Sequence, residues 1–541
     1  MTIPEYTEEL LMIFNSQEPV LFHDDQDDPY ARIPIRTHKE IWPMRSEEFK
    51  GYLERLYHED GTDLAIPKEA LKRALNILIA RAKFDGPMHP LYCRVARHED
   101  AIYYDLTDAE WRAVKITSDG WEIVNEPPIL FRRFKHQQAQ VEPKHGGSVL
   151  KFLNHVNVRT EDDKLLMPVY LVTSFIPGYP HPVLNLLGEQ GSCKSTCSRF
   201  IATLVDPGKP PLLTLYNKIN EIVLQLWRRH MAFFDNIGEI ANDVSDLLCR
   251  AVTGDGYSKR KLFTDSEDII LDYRTVIGIN GINLAVRKAD LLDRCIFVEL
   301  ERVPEHERRP ERLVKASFEQ DRPYIMGGIF DAIVKAMQIK EKLIIPKLPR
   351  MADFAEWGCA VALALGFTQE SFLSMYHNNM LRQDDEVIDA SSIAQALIAF
   401  MEQRTEWKGN ATDLLKCLDR IADLRRIDTR SFEWPRSASH LTRRLNLVKT
   451  NLSHFGISFK IRRGTHGKRE IELLRTVESV ATSATGMELG ANKSPEHGGV
   501  TGGDEATSPP MKRVPPRKKG MGGGGGGPSI DPNTGEIVSK F

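Results

Sequence analysis

Apolar residues recur along this chain with different periods in successive stretches, and each change of period marks a change of architecture. Residues 1–45 show no sustained period and carry an acidic patch at Asp24, Asp25, Asp27 and Asp28; they read as an irregular N-terminal arm. Over 46–84, Phe49, Leu53, Leu56 and Tyr57 share one helical face, and Leu71, Leu75, Leu78 and Ile79 share another. Over 91–133, Tyr92, Ile102, Tyr103, Tyr104, Val114, Trp121, Ile123 and Val124 fall in short runs broken by turns such as Ser118-Asp119-Gly120, which predicts a small antiparallel β unit. Residues 146–345 alternate helices with uninterrupted apolar runs at 183–187, 231–234, 275–279 and 295–300. Apolar strands between helices imply a sheet covered on both faces.

Residues 346–405 read as helical, with Trp357, Ala360, Leu363 and Ala364 on one stripe. A helix over 411–422, a second over 437–455 and two strands at 457–461 and 470–474 then form a helix–helix–hairpin pattern, that of a winged helix. From 478 the chain is rich in Gly, Ser and Pro, with Gly522 to Gly527 unbroken, and is expected to be disordered. The expected organisation is an arm (1–45), a helical and β-rich N-terminal domain (46–145), an α/β core (146–345), a helical lid (346–405), a winged helix (406–475) and a tail (476–541).

Composition bounds the function. At 541 residues the chain is long enough for several cores. Its formal net charge is −3, so a nucleic-acid surface has to be local. The seven cysteines form no CxxC pair, which argues against a zinc site and suits a reducing compartment. The N-terminus lacks the basic start of a signal peptide, and no apolar run reaches bilayer length. The reading is a cytoplasmic protein with no membrane contact.

The chemistry concentrates after the 183–187 strand. Gly188-Glu189-Gln190-Gly191-Ser192-Cys193-Lys194-Ser195-Thr196 follows the phosphate-loop pattern, with Cys193 where its last glycine belongs. Gly188 and Gly191 permit the tight turn, and backbone N–H groups at the start of the next helix face the phosphates. Lys194 is expected on the β/γ-phosphates and the Ser195 hydroxyl on Mg²⁺. Met231-Ala232-Phe233-Phe234-Asp235 supplies a strand ending in a carboxylate, expected to hold Mg²⁺ through water; read alone, Asp235-Asn236 is a turn. Asn236 stands where many ATPases place a water-polarising glutamate. Either Glu239 or Glu189 serves as the base, or hydrolysis is slow. Asn280 ends a third strand, where it either positions the attacking water or makes a turn. Arg294, just before the last strand, either projects across a subunit interface to a neighbour's nucleotide or is a solvated helix-end cation.

With these residues the chain resembles the AAA+ ATPases of DNA replication, in the branch holding the MCM helicases and the superfamily-3 viral and plasmid helicases. The small residue Cys193 before Lys194-Ser195 is similar to MCM loops, Asn280 matches the sensor-1 asparagine, and Leu291-Leu292-Asp293-Arg294 is similar to an arginine-finger motif. Arg350, in Leu348-Pro349-Arg350-Met351, looks like a sensor-2 residue that reaches the nucleotide. The run from about 90 to 474 resembles ATPases of bacteriophages and integrated mobile elements, which carry a Gly-Glu-Gln-Gly-Ser loop, a Phe-Asp-Asn strand end and a Leu-Pro-Arg-Met-Ala-Asp-Phe segment. The resemblance implies an α/β AAA+ P-loop core with a parallel sheet, a helical lid, ATP and Mg²⁺ as cofactors, and a homo-oligomeric ring, hexameric by expectation. It places residues 246–274 at a DNA-contacting hairpin.

Two basic clusters fit such a protein. Lys259, Arg260 and Lys261 would line a ring's channel and grip single-stranded DNA by its phosphates; the plain alternative is an exposed charged loop. Arg436, Arg443, Arg444, Lys449, Lys460, Arg462, Arg463, Lys468 and Arg469 would present the winged helix to duplex DNA, although such modules also bind proteins. The expected function is an ATP-driven DNA motor of a mobile element. The alternatives are an initiator or loader switch without unwinding, and a nucleotide-binding DNA adaptor without turnover.

Overall fold

The computed structural model describes residues 1–62, 65–216, 218–254, 256–260, 268–271, 273–281, 286, 288–430, 434–463 and 469–476. The glycine-rich tail expected to be disordered, Lys261, Arg287 and Lys468 lie outside them.

The N-terminal stretch is not an irregular arm. It forms α1 (Ile3–Ser16) and a three-stranded antiparallel sheet of β1 (Val20–His23), β2 (Pro29–Ile35) and β3 (His38–Pro43). Thr2 and Glu5 make a capping box at the start of α1, and Leu10, Ile13 and Phe14 are buried at helical spacing. The acidic patch is the β1–β2 turn: the Asp24 Oδ1 accepts from the N–H groups of Gln26 (3.0 Å) and Asp28 (2.9 Å). Aspartate closing a turn on its own backbone explains the cluster without an arm. Helices α2 (Glu47–Tyr57) and α3 (Lys68–Ala80) complete one core over residues 10–82.

Six short strands follow: β4 (Leu91–Tyr92), β5 (Val95–His98), β6 (Ala101–Asp105), β7 (Ala113–Ile116), β8 (Trp121–Val124) and β9 (Leu130–Phe131). Strands β5 to β8 form an antiparallel meander. Alternation gives this sheet two apolar faces. Ala101, Tyr103 and Ala113 belong to a small local core, whereas Ile102, Tyr104 and Val114 join the largest core of the molecule.

That large core surrounds α4 (Glu161–Thr173), β10 (Val183–Leu187), α5 (Lys194–Val205), α6 (Ile219–Trp227), β11 (Met231–Ile237), α7 (Asn242–Thr253), the hairpin β12 (Tyr257–Arg260) and β13 (Asp268–Leu271), β14 (Val276–Gly281), α8 (Ala289–Leu292), β15 (Cys295–Glu299) and α9 (Glu311–Lys340). The parallel sheet runs in the order β11-β14-β10-β15. Val183, Leu184, Phe233, Phe234, Ile277 and Ile296 are buried in it, as a sheet packed on both faces requires. Its β15 edge is closed by a side chain: Asn379 donates to the Phe297 carbonyl (2.6 Å) and accepts from the Phe297 N–H (2.9 Å), replacing a missing strand.

Asn379 lies on α11 (Gln369–Ala390), between α10 (Ala352–Ala364) and α12 (Ser392–Met401), so 346–405 is helical as its pattern predicts. The last elements are β16 (Glu406–Asn410), α13 (Ala411–Arg425), α14 (Ala438–Leu447), α15 (Lys449–His454), β17 (Ile457–Arg463) and β18 (Arg469–Arg475), around a separate core over 388–473. The helix expected over 437–455 is two helices, broken at Val448, which is buried in that core. Strand β16 has no sequence signature; Glu406-Trp407-Lys408-Gly409-Asn410 becomes a strand by pairing with β18.

Candidate functional site

The loop after β10 runs at the carboxyl end of a strand that has β14 on one side and β15 on the other, the place where open parallel sheets bind ligands. Its conformation depends on three positive-φ residues: Gly188 (143°), Gly191 (89°) and Cys193 (61°). A Cβ on Gly188 would lie 2.4 Å from the Leu300 carbonyl oxygen, so that position admits glycine alone. Cys193 occupies the left-handed region as the N-cap of α5, which a non-glycine residue does at a cost of about 1 kcal/mol. The glycine of the general pattern is therefore replaced without loss of the backbone geometry.

Lys194 opens α5 and folds back over the loop, where its Nζ donates to the Gly188 carbonyl (2.5 Å) and the Glu189 carbonyl (2.9 Å). Partial burial lowers its pKa. The Ser195 Oγ donates to the Asp235 Oδ1 at 2.9 Å. Two oxygens 40 residues apart in the chain thus meet beside the loop. Glu189, Gln190 and Gly191 are exposed, Thr196 is half-buried, and Ser192 is buried with an Oγ that has no hydrogen-bond partner.

Asp235 sits at an irregularity in β11, whose register against β14 shifts between Phe234 and Ile237. Asn236 there has a φ of 57° and is exposed. Its N–H donates to the Asn280 Oδ1 (2.9 Å), and the Asn280 amide donates to the Ser198 Oγ on α5 (2.6 Å). Asn280 is buried. It joins β11, β14 and the helix that carries Lys194, a tethering geometry that a turn asparagine does not have. Glu239, two residues beyond the end of β11, is exposed.

A cavity of about 510 Å³ adjoins the loop, and Ser192, Cys193, Thr196, His155, Asn157 and Val303 are among its walls. His155 is buried there; its Nε2 bonds Asp321 at 3.1 Å and its Nδ1 has no partner. Sequence reading missed these walls, because segments 154–157 and 300–314 carry no motif and meet the loop only through the fold.

The two arginines expected near nucleotide come together on one carboxylate, that of Asp290. Arg294 donates to the Asp290 carbonyl (2.5 Å) and Asp290 Oδ1 (2.6 Å). Arg350 pairs with the same Asp290 carboxylate at 3.2 Å and with Asp293. These arginines hold the Asp290 carboxyl below its ordinary pKa against the opposing effect of burial. Its ion pairs with Asp290 and Asp293 place Arg350 beside Arg294.

Of the basic clusters, Lys259 and Arg260 lie on β12, opposite Ile269 and Asp268 of β13. Arg443 is exposed on α14 and Arg444 half-buried beside it. Arg462 on β17 is exposed, but Glu470 stands directly opposite and Glu472 lies at 3.9 Å. Lys460 likewise faces Glu472, so the root of this hairpin is neutralised. Arg463 and Arg469 face each other farther along.

No helix among the described residues is long and apolar enough to cross a membrane. Residues 148–384 match the family described as actinomycete integrative conjugative element replication protein, and 393–485 match the AICE RepA C-terminal domain. None of the curated proteins matches the chain. Among solved structures, the chain is similar to "SCCmec type IV Cch - active helicase", at 11% identity and a TM-score of 0.43 over 84% of this chain and 92% of that one. It is also similar to the apo NrS-1 C-terminal region, at 10% identity and a TM-score of 0.38 over 86% and 99%.

Proposed function

We propose that this chain, which matches the actinomycete integrative conjugative element replication protein family over residues 148–384 and its C-terminal domain over 393–485, is an Mg-ATP-driven DNA motor that works as a ring of identical subunits, six by expectation. The observation that carries the reading is the meeting of Ser195 and Asp235 at 2.9 Å beside a loop held in phosphate-binding form with Lys194 across it. A serine hydroxyl and a carboxylate suit Mg²⁺, which takes few protein ligands and completes its shell with water and phosphate oxygens.

In this reading the N–H groups at the start of α5 and the Lys194 ammonium hold the phosphates. Bound Mg²⁺ would neutralise charge on the phosphate oxygens. Lys194 exchanges its two loop carbonyls for phosphate oxygens when nucleotide enters. The buried Ser192 hydroxyl and His155 ring face the adjoining cavity and would receive the nucleoside. Arg294 and Arg350 share Asp290 and would act as one unit on a neighbouring subunit's nucleotide. The AAA+ assignment, the lid and the winged helix belong to the same proposal, supported by the strand order and the helix–helix–hairpin at 411–475.

Asn236 favours a second reading, a nucleotide-binding DNA adaptor that turns over slowly or not at all, because an amide cannot accept the proton of an attacking water. Steady-state ATPase of the pure protein with and without DNA separates the two. For the motor, Lys194→Ala and Asp235→Ala each lower hydrolysis by roughly 10²-fold or more. Normal hydrolysis by a pure Lys194→Ala preparation would overturn the site.

A further inference from the structure

The parallel sheet has a second cavity, at the end opposite the phosphate loop. His181 precedes β10, His230 precedes β11, and Tyr273 and Arg274 precede β14. Between these strand starts and β4 lies a cavity of about 300 Å³. A strand of five or six residues, roughly 16–20 Å, separates it from the phosphate loop.

Its lining is one-sided in charge. Arg132, Arg229 and Arg274 contribute to it, and no carboxylate does among the described residues. Arg229 is 8% exposed, and its hydrogen bond runs to the Pro210 carbonyl at 3.4 Å. No carboxylate among the described residues forms an ion pair with it; burial pushes its pKa down, and the charge of Asp206 opposes this only in part. The nearest buried carboxylate, Asp206, is engaged by Arg94 (2.9 Å) and by the N–H groups of His230 and Met231. The backbone makes room for the guanidinium: a Cβ on Gly208 would stand 2.6 Å from the Arg229 Nη1. Arg132 gives one nitrogen to Asp24, while its buried Nε has no partner. Burial lowers the pKa of both His181 and His230, against the opposing effect of the backbone carbonyl that each bonds.

The other walls are aromatic. Tyr92, Phe134, Trp227 and Tyr273 line the cavity, and the Arg132 guanidinium already stacks 4.9 Å from the Trp227 ring. A buried cation whose nearby carboxylate is already paired with another arginine is under-compensated until an anion joins it. Aromatic faces beside it select an anion that carries a flat ring.

We propose that this cavity is a second nucleotide-chemistry site, separate from the phosphate loop, which takes one phosphorylated nucleoside with Arg229 and Arg274 on the phosphate and the aromatic walls on the base. Its volume suits a single nucleotide unit. The unit comes either from a free mononucleotide or from a DNA strand; Arg274, three residues beyond the β12–β13 hairpin, puts the site within reach of a strand led along that hairpin.

The test uses the full chain carrying Lys194→Ala, which disables the phosphate loop, and titration calorimetry with dTMP, thymidine, inorganic phosphate and a 5′-phosphorylated oligo-dT. Saturable binding of dTMP, of the oligonucleotide or of both is expected, with thymidine and phosphate each weaker. Adding Arg229→Met is expected to weaken it roughly tenfold or more, with the melting temperature unchanged or raised because an unpaired buried charge is gone. Arg274→Ala, at an exposed position, weakens it without touching the core. Binding of dTMP assigns a free nucleotide, and binding of the oligonucleotide alone assigns a strand. No saturable binding by the Lys194→Ala chain, or equal binding by the Arg229→Met and Arg274→Ala variants, overturns the site. If the wild type binds and the Lys194→Ala chain does not, the ligand belonged to the phosphate loop; the second site then falls while the ATPase reading stands.

Discussion

His181 and His136 are neutral in the folded chain. His181 is buried with its Nε2 on the Thr173 carbonyl (3.0 Å), and burial pushes its pKa down to about 3. Burial, with Arg229 adding to it, takes His136 to about 4. An unfolded histidine takes up its proton near pH 6.5. Folded pKa values below that make the unfolded state the better proton binder as pH falls. Stability is therefore full above pH ~7 and is lost as pH falls from about 6.5 to about 4 for His136 and to about 3 for His181, by up to roughly 1.4 kcal/mol per pH unit for His181. The lowered pKa of Asp206 acts elsewhere: its contribution is present above about pH 4 and is lost as pH falls further. Urea unfolding at pH 7 and pH 5 should show the loss, and His181→Gln should shrink it. Identical pH slopes for the two proteins would contradict a neutral, buried His181.

At the scale of elements, the β12–β13 hairpin and the phosphate loop are separable. Lys259 and Arg260 stand on β12, and Arg274 beyond β13 returns to the Thr253 carbonyl (3.1 Å) at the end of α7. Arg274 is not among the described walls of the cavity beside the loop. Changing Lys259, Arg260 and Lys261 together to alanine should leave basal ATP hydrolysis intact and remove its stimulation by single-stranded DNA. The log–log salt dependence of DNA binding should flatten by up to roughly two to three units if all three contact phosphates. Strand displacement at the wild-type rate by this variant would sink the channel assignment. The β17–β18 hairpin is a weaker DNA surface than its arginine count implies, because Glu470 and Glu472 lie across from Arg462 and Lys460.

For the whole molecule, the shared Asp290 makes the two arginines one device. Subunits carrying Arg294→Ala should bind nucleotide yet fail to hydrolyse it alone. Mixed with Lys194→Ala subunits they should regain activity, since an intact loop then faces an intact arginine pair; an arginine finger supplies about 10³-fold or more. Arg350→Ala should complement Lys194→Ala in the same way. If Arg350 served the nucleotide of its own chain, no mixture with Lys194→Ala would recover, because each subunit would lack one part of its own site. ATPase rates across mixing ratios, with co-assembly confirmed, decide between the two.

Much of the core was legible because its signals are local. An apolar run such as 183–187 is a strand in any parallel sheet, and Gly-x-x-Gly followed by Lys-Ser before a helix needs φ values that neighbouring residues set among themselves. The sequence by itself determined the glycine-containing turn between a strand and the helix that opens at Lys194, the strand that carries Asp235 (which runs on to Ile237 rather than ending at the carboxylate), the helical stretch 346–405 and the antiparallel β unit. It also showed that Cys193 departs from the glycine of the pattern. What depends on partners distant in the chain was not legible. The Asp24–Asp28 cluster read as an arm because an acidic run looks the same in a turn and in a tail until its N–H partners are known. Strand β16 exists through its ladder with β18. Only the tertiary structure placed Ser195 against Asp235, tied Asn280 to both β11 and α5, and drew Arg350 to Asp290. It alone left Arg229 buried without an ion-pair partner among the described residues, since burial and charge pairing are sums over neighbours from many segments.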